Sequence, residues 1–184
     1  MLMARATVLQ HQRVRWVLGQ VALVLSGVFF YFQVRGLTAA SESVAVDHAH
    51  DVLAFEERLG LDVERTVQAP VTGSDTLSTL ANWIYIWGHW PVIALTMAWL
   101  VWRHREIFPR LRDAMLVSGG VGLVIFMSYP LAPPRLVDPA LVDTVSERSY
   151  AYRVLQPPNF VNQYAAMPSL HAGWDLLVGI SIAT

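Results

Sequence analysis

The sequence of 184 residues contains no cysteine and no lysine, and only 15% of its residues are charged. Without cysteine, a disulfide scaffold and a thiolate metal site are both excluded. The 13 basic residues are all arginine and are balanced by 14 acidic residues, so the chain lacks the basic surface that binds nucleic acid. Soluble domains carry charge on about a quarter of their residues. With 54% hydrophobic residues and a mean hydropathy of +0.41, a membrane protein is the favoured class.

Three apolar stretches match the requirement for crossing a bilayer core of about 30 Å, which takes about 20 helical residues, and a fourth apolar stretch begins near residue 165. They predict spans at about 16–32, 83–102, 114–132 and 165–184, and the last is still apolar where the sequence stops. We therefore predict an all-α, multi-span transmembrane helical bundle whose fourth span is cut short. Residues 1–184 would then form the N-terminal portion of a single membrane domain.

The first apolar stretch has an alternative interpretation as a cleaved signal peptide, because Arg5, Arg13 and Arg15 precede it. Its apolar run of about 17 residues is longer than the usual core of a signal peptide. In addition, Arg35 intrudes before the small residues at 38–40 that cleavage would require. A retained membrane anchor is the favoured interpretation.

The distribution of arginine predicts the orientation in the membrane. The segments before the first span and between the second and third spans hold seven arginines and two acidic residues. Segments 35–82 and 133–164 hold six arginines against eleven acidic residues. Because basic residues concentrate in cytoplasmic loops, we predict a multi-pass protein of the cell membrane with a cytoplasmic N-terminus. The two acidic segments would face outward.

Segment 44–68 repeats apolar residues at helical spacing and carries most of its acidic residues off that stripe. This pattern predicts an amphipathic helix on the outer side, either packed over the bundle or forming a lid over a lipid-access site. His48 and His50 lie two residues apart and do not share a helical face, so they do not predict a metal site.

The sequence MPSLHAGW, at residues 167–174, begins the fourth predicted span. Pro168 suits the first turn of a helix, where unpaired N–H groups and the helix dipole attract anions. Ser169 adds a hydroxyl donor, and His171 adds a group that can donate a proton to the leaving oxygen of a phosphate ester. The alternative is that His171 only makes a hydrogen bond to a neighbouring helix.

Two further polar residues lie within predicted spans. Asp175 follows His171 by one helical turn and would either orient its imidazole or form an interhelical contact unrelated to chemistry. We expect His89, in the second span, to be packed and hydrogen-bonded.

The other half of the candidate site is the sequence YPLAPPRL, at residues 129–136. Arg135 follows two prolines that restrict the chain, and its guanidinium suits the oxygens of a phosphate. Since Arg135 and His171 both fall at the outer boundary, one pocket can hold them. The alternative is an arginine that extends to lipid headgroups.

Residues 168–171, together with the sequence APPRL that precedes them, resemble the type-2 phosphatidic acid phosphatase superfamily, the membrane relatives of vanadium haloperoxidases. The motifs MPSLHAGW and APPRL are more similar to the branch of this superfamily named for inositol phosphorylceramide synthase. The resemblance implies a six-span bundle that cleaves or transfers lipid-linked phosphate esters through a phosphohistidine, without metal or cofactor. It implies that His171 is the general acid and that Ser169 and Arg135 bind the phosphate.

The sequence departs from this family pattern in two respects. The usual Lys-x6-Arg-Pro signature is absent, and no histidine follows His171, so the third signature with its nucleophilic histidine is missing. We predict that the chain is truncated before that signature and is inactive alone, in an enzyme that acts at the extracytoplasmic face. The alternative is a non-catalytic membrane module that binds lipid or a partner protein.

Overall fold

The computed structural model describes residues 2–37, 42–145 and 162–184. Within these ranges the chain forms helices, turns and an isolated bridge but no strand, so the predicted all-α membrane helical bundle is confirmed. The described helices are α1 Leu2–Leu37, α2 Glu42–Leu59, α3 Glu64–Thr72, α4 Asp75–Trp83, α5 His89–Arg103, α6 Phe108–Ser128, α7 Pro134–Val137 and α8 Leu170–Ala183, with a π-helical segment, Ile84–Gly88, between α4 and α5.

Three described helical stretches are long and apolar enough to cross a membrane, namely Gln10–Val34, Asp75–Arg103 and Phe108–Ser128. The second begins earlier than the predicted 83–102, because Ser74 caps α4 by accepting a hydrogen bond from the Leu77 N–H at 3.3 Å. The fourth predicted span corresponds to α8, an apolar helix of 14 residues.

Segment 44–68, predicted as one helix, is divided between α2 and α3. Gly60 ends α2 with a φ of 67°, in the left-handed region that glycine adopts without steric cost. The N–H of Leu61 then donates to the carbonyl of Glu56 at 2.9 Å, which closes the helix end. The apolar periodicity continues past Gly60, so it conceals this break.

The structure packs α2 onto the segment that leaves α6. Ala45 and Ala49 are buried against Leu131 and Ala132. On the same face, Nδ1 of His48 donates to the Pro130 carbonyl at 2.8 Å. Among the two alternatives for this helix, these contacts favour packing over the bundle.

Helix α8 packs closely on α6 because α6 presents glycine there. A Cβ at Gly122 would lie 3.2 Å from a side-chain carbon of Leu170, and one at Gly119 would lie 3.4 Å from Trp174. The indole of Trp174 also donates to Oγ of Ser118 at 3.1 Å. Small residues allow this approach of two membrane helices, and the hydrogen bond fixes their register.

Residues 138–145 are held against α3 and α4 by amide side chains. The Gln68 side chain exchanges two hydrogen bonds with the backbone of Val142, at 2.8 and 3.0 Å. Asn82, which is buried, donates to the Thr144 carbonyl at 2.8 Å and accepts from the Thr144 hydroxyl at 3.0 Å. We call this segment the clamped loop.

We predict that Asn82→Ala destabilises the folded protein by about 1–3 kcal/mol, because it removes two hydrogen bonds to the half-buried Thr144. The thermal unfolding of the detergent-solubilised protein measures this change. Thr79→Ala, at an exposed position of the same helix, is the control. Equal unfolding temperatures for the two variants would contradict a clamping role for Asn82.

Candidate active site

Backbone pairing brings the two predicted halves of the site to one end of the bundle. The N–H of Leu131 donates to the Tyr164 carbonyl at 2.8 Å, and the N–H of Ala166 donates to the Leu131 carbonyl at 3.2 Å. These bonds form an isolated parallel bridge between Leu131 and Ala165. The chain that carries Arg135 therefore lies beside the chain that leads into α8 and His171.

Arg135 lies in the first turn of the short helix α7 and lines a cavity of about 360 Å³. Its Nε donates to the Asp143 carboxylate at 2.7 Å, and its side chain is 40% exposed. Other parts of the cavity wall come from the clamped loop, from Gln68 of α3 and from Tyr85 of the π-helical segment. The cavity thus has a guanidinium that is oriented by a carboxylate and remains accessible.

His171 lies in the first turn of α8, between two aromatic rings. Its imidazole stacks on the ring of Tyr85 at a centroid distance of 4.8 Å and on the imidazole of His89 at 4.1 Å. Tyr85 also lines the cavity of Arg135, so one tyrosine contacts His171 and borders the cavity that holds Arg135. Stacking on both faces restricts the orientation of the His171 ring.

Ser169 is the N-cap of α8, and its Oγ accepts a hydrogen bond from the Ala172 N–H at 3.3 Å. Pro168 therefore precedes the helix, whereas the sequence placed it in the first turn. The cap explains the shift, because a side-chain acceptor at Ser169 fixes the helix start after it. The hydroxyl proton of Ser169 can still be donated to an anion at the helix start.

Asp175 interacts with a different histidine from the one that the sequence emphasised. Its carboxylate accepts a hydrogen bond from Nδ1 of His89 at 2.8 Å. The contact joins α8 to α5, as the interhelical alternative proposed. The predicted packed and hydrogen-bonded state of His89 is confirmed, since its side chain is only 3% exposed.

Tyr85 was not among the residues singled out in the sequence. Tyr85 and His89 are four residues apart, a spacing that places both on one helical face. The π-helical turn between them is a local widening that is often found at functional sites. The four-residue spacing could have predicted that Tyr85 and His89 share a helical face. The apolar sequence IYIWG does not predict the π-helical turn.

A surface ion pair reinforces the clamped loop beside the cavity. Nε of Arg65 donates to the Asp138 carboxylate at 2.7 Å. This hydrogen bond holds the pKa of Asp138 below its ordinary value, with a smaller contribution from the N–H of Ala140. The folded state therefore favours the carboxylate form of Asp138.

We predict that Asp138→Asn lowers the unfolding temperature at pH 7 by a small amount that depends on salt. A depressed pKa stabilises the folded state above the unfolded pKa of about 4, and this contribution is lost as the pH falls through the lowered pKa. The difference between wild type and variant should therefore shrink toward zero below about pH 4. A difference that stays constant from pH 7 to pH 3 would contradict this ion-pair effect, and Asp51→Asn, at an exposed position of α2, is the control.

A comparison with known proteins bears on this site. A family model described as the PAP2 superfamily matches residues 50–184, which is more than half of the chain. No curated protein matches the chain, and no solved structure matches it. The matched region contains every side chain placed above around the cavity and the start of α8.

Proposed function

Because the chain belongs to the PAP2 superfamily, we propose that it is an integral-membrane phosphatase or phosphotransferase acting on lipid-linked phosphate esters at the extracytoplasmic face. Membership supports phosphatase-type chemistry on lipid phosphates. The observation that carries the assignment to named residues is the position of Tyr85, which stacks on His171 and lines the cavity of Arg135.

The phosphate is bound by Arg135, by the hydroxyl of Ser169 and by the start of α8. In the structure, Asp143 uses Nε of Arg135, and the remaining N–H groups of the planar guanidinium are suited to two phosphate oxygens. The helix start contributes backbone N–H groups and the positive end of its dipole. The guanidinium and the positive end of the helix dipole together balance the negative charge of the phosphate without a metal ion.

His171 acts as the general acid. When the phosphorus–oxygen bond to the lipid alkoxide breaks, the imidazolium donates its proton to the departing oxygen. A positioned acid of this kind contributes about 10²–10⁴-fold to the rate. The stacked rings of Tyr85 and His89 hold the imidazole, and Asp175 holds His89, so these three are positioning residues.

The resemblance supports a phosphohistidine intermediate, formed by attack of a second histidine on phosphorus. No histidine follows His171 within residues 1–184, so the residues present account for phosphate binding and protonation and not for the attack. The product depends on the acceptor of the phosphoryl group, which is water in a phosphatase and an alcohol in a transferase. The branch resemblance supports inositol as the alcohol, and phosphate release with and without inositol distinguishes the two reactions.

We predict that His171→Ala lowers turnover of a lipid phosphate by about 10²–10⁴-fold, because the leaving alkoxide then departs without a proton. Phosphate release is measured in membranes that contain the protein expressed from its complete coding sequence. His50→Ala, an exposed histidine of α2, is the control and should retain activity. Undiminished turnover of the His171 variant, at equal membrane content, would refute the assigned role.

We also predict that Arg135→Lys lowers kcat/KM by about tenfold or more, because an ammonium cannot make a two-pronged contact with phosphate. The same assay measures this change over a range of substrate concentrations. Arg58→Lys, at an exposed position of α2, provides the matched control. Equal kcat/KM values for wild type and Arg135→Lys would remove Arg135 from the phosphate site.

A further inference from the structure

A second cavity, of about 450 Å³, lies at the opposite end of the bundle from His171. It is bounded by α1, by α5 and by the start of α6. Arg13, Gln20 and Arg105 line it, the rest of its described lining is apolar or aromatic, and none of the lining residues is acidic. The cavity therefore joins a cationic end to an apolar wall.

Arg105 is incompletely satisfied in this cavity. Its Nε donates to the Val101 carbonyl at 3.2 Å, and its guanidinium lies 5.4 Å from the ring centroid of Trp16. In the described part of the chain, its Nη2 is the single buried side-chain nitrogen or oxygen without a hydrogen-bond partner. Since a buried donor without a partner is destabilising, it is a position where an acceptor of suitable charge is stabilising.

The neighbouring Arg112 differs from Arg105 because its guanidinium is paired with a carboxylate. Arg112 pairs with the Asp113 carboxylate at 2.6 Å and donates to the side-chain oxygen of Gln20. No ion pair of the described residues includes Arg13 or Arg105. Because the oxygen of Gln20 is engaged by Arg112, its amide N–H groups are the donors that it offers to the cavity.

The apolar part of the cavity runs along the groove between α1 and α5. It extends from Arg13 to Val24 on α1, which is about 16 Å at the helical rise per residue. A further apolar cavity of about 460 Å³ shares Val24, Ala94 and Met97 with it and continues the groove toward Trp90. The combined groove is long and largely apolar, and its arginines lie at one end.

From this arrangement we propose that the groove binds an anionic phospholipid from the leaflet beside the arginine-rich segment 103–113. Its phosphate would lie at Arg105 and Arg13, and one acyl chain would lie between α1 and α5. Basic pockets between membrane helices bind acidic headgroups in this way. The site is separate from the candidate active site and does not depend on its chemistry. A bound lipid would connect α1 to α5 where the described side chains leave a gap.

The test uses the intact protein in nanodiscs that contain phosphatidylcholine and phosphatidylglycerol in equal amounts. Native mass spectrometry after extraction measures the ratio of the two lipids retained by the protein. We expect Arg105→Gln to reduce the enrichment of phosphatidylglycerol by about fivefold, since one arginine near a membrane surface contributes about that factor. Arg110→Gln removes the same charge from an exposed position of α6 and should retain the wild-type ratio.

A second variant tests the groove independently, in case Arg105→Gln fails to fold. Met97→Trp fills the shared part of the groove, leaves the charges intact and should reduce the retention of phosphatidylglycerol as well. Adding soluble glycerol phosphate should not displace the lipid, because it lacks the acyl chain. Equal enrichment in Arg105→Gln and Arg110→Gln, unchanged retention in Met97→Trp, or displacement by glycerol phosphate would each overturn the proposal.

Discussion

The backbone pairing of Leu131 determines the arrangement of the candidate site. Its N–H and carbonyl bond to Tyr164 and Ala166, at 2.8 and 3.2 Å, in a segment more than thirty residues away in sequence. The segment leaving α6 thereby lies beside the start of α8. These bonds add to the packing of α8 on α6, and together the contacts bring the helices that carry Arg135 and His171 to one end of the bundle. The packing of α2 on Leu131 and Ala132 covers the same pairing and excludes solvent from it.

The second constraint is a connected series of polar groups within the apolar bundle. Tyr85, His171 and His89 form a stack, and Asp175 holds the far end of it through His89. Polar groups among membrane helices are costly unless they are paired, and the buried His89 is paired with Asp175. The imidazole proposed as the acid is thus held by groups from the second membrane-crossing stretch.

Much of the fold followed from the apolar pattern of the sequence. The predicted first and third spans overlap the stretches that the structure makes long and apolar enough to cross a membrane, and the motif around Ser169 lies at a helix start as its residue types indicate. The prolines before Arg135 likewise lie at the end of the bundle where the sequence placed them. These features depend on local composition, which a sequence displays directly.

The features that the sequence concealed depend on packing between distant segments. Nothing near Asp175 indicates that its partner is His89, eighty-six residues earlier, rather than His171 one turn away. The π-helical turn before His89 consists mostly of apolar residues that also form ordinary α-helices, so the sequence does not indicate it. The apolar stripe of segment 44–68 continues past Gly60, so the periodicity concealed the break between α2 and α3 at that glycine.

The two cavities lie at opposite ends of the bundle and differ in the charges that line them. At the His171 end of the bundle, Nε of Arg135 is paired with the Asp143 carboxylate at 2.7 Å. At the other end, Arg105 forms no ion pair among the described residues, and its buried Nη2 has no hydrogen-bond partner there. The two proposed anion sites therefore differ in whether a carboxylate already pairs with the arginine.

The proposed site requires that Arg135 and His171 bind one and the same anion. The measurement is a titration with inorganic phosphate, followed through the imidazole NMR resonances of histidine-labelled protein, with His171 assigned by its loss in His171→Asn. If one anion contacts both groups, phosphate shifts the His171 resonance, and Arg135→Gln raises the midpoint of that shift by about tenfold. An identical midpoint in the two proteins, or no shift of His171, would show that the two side chains belong to separate sites.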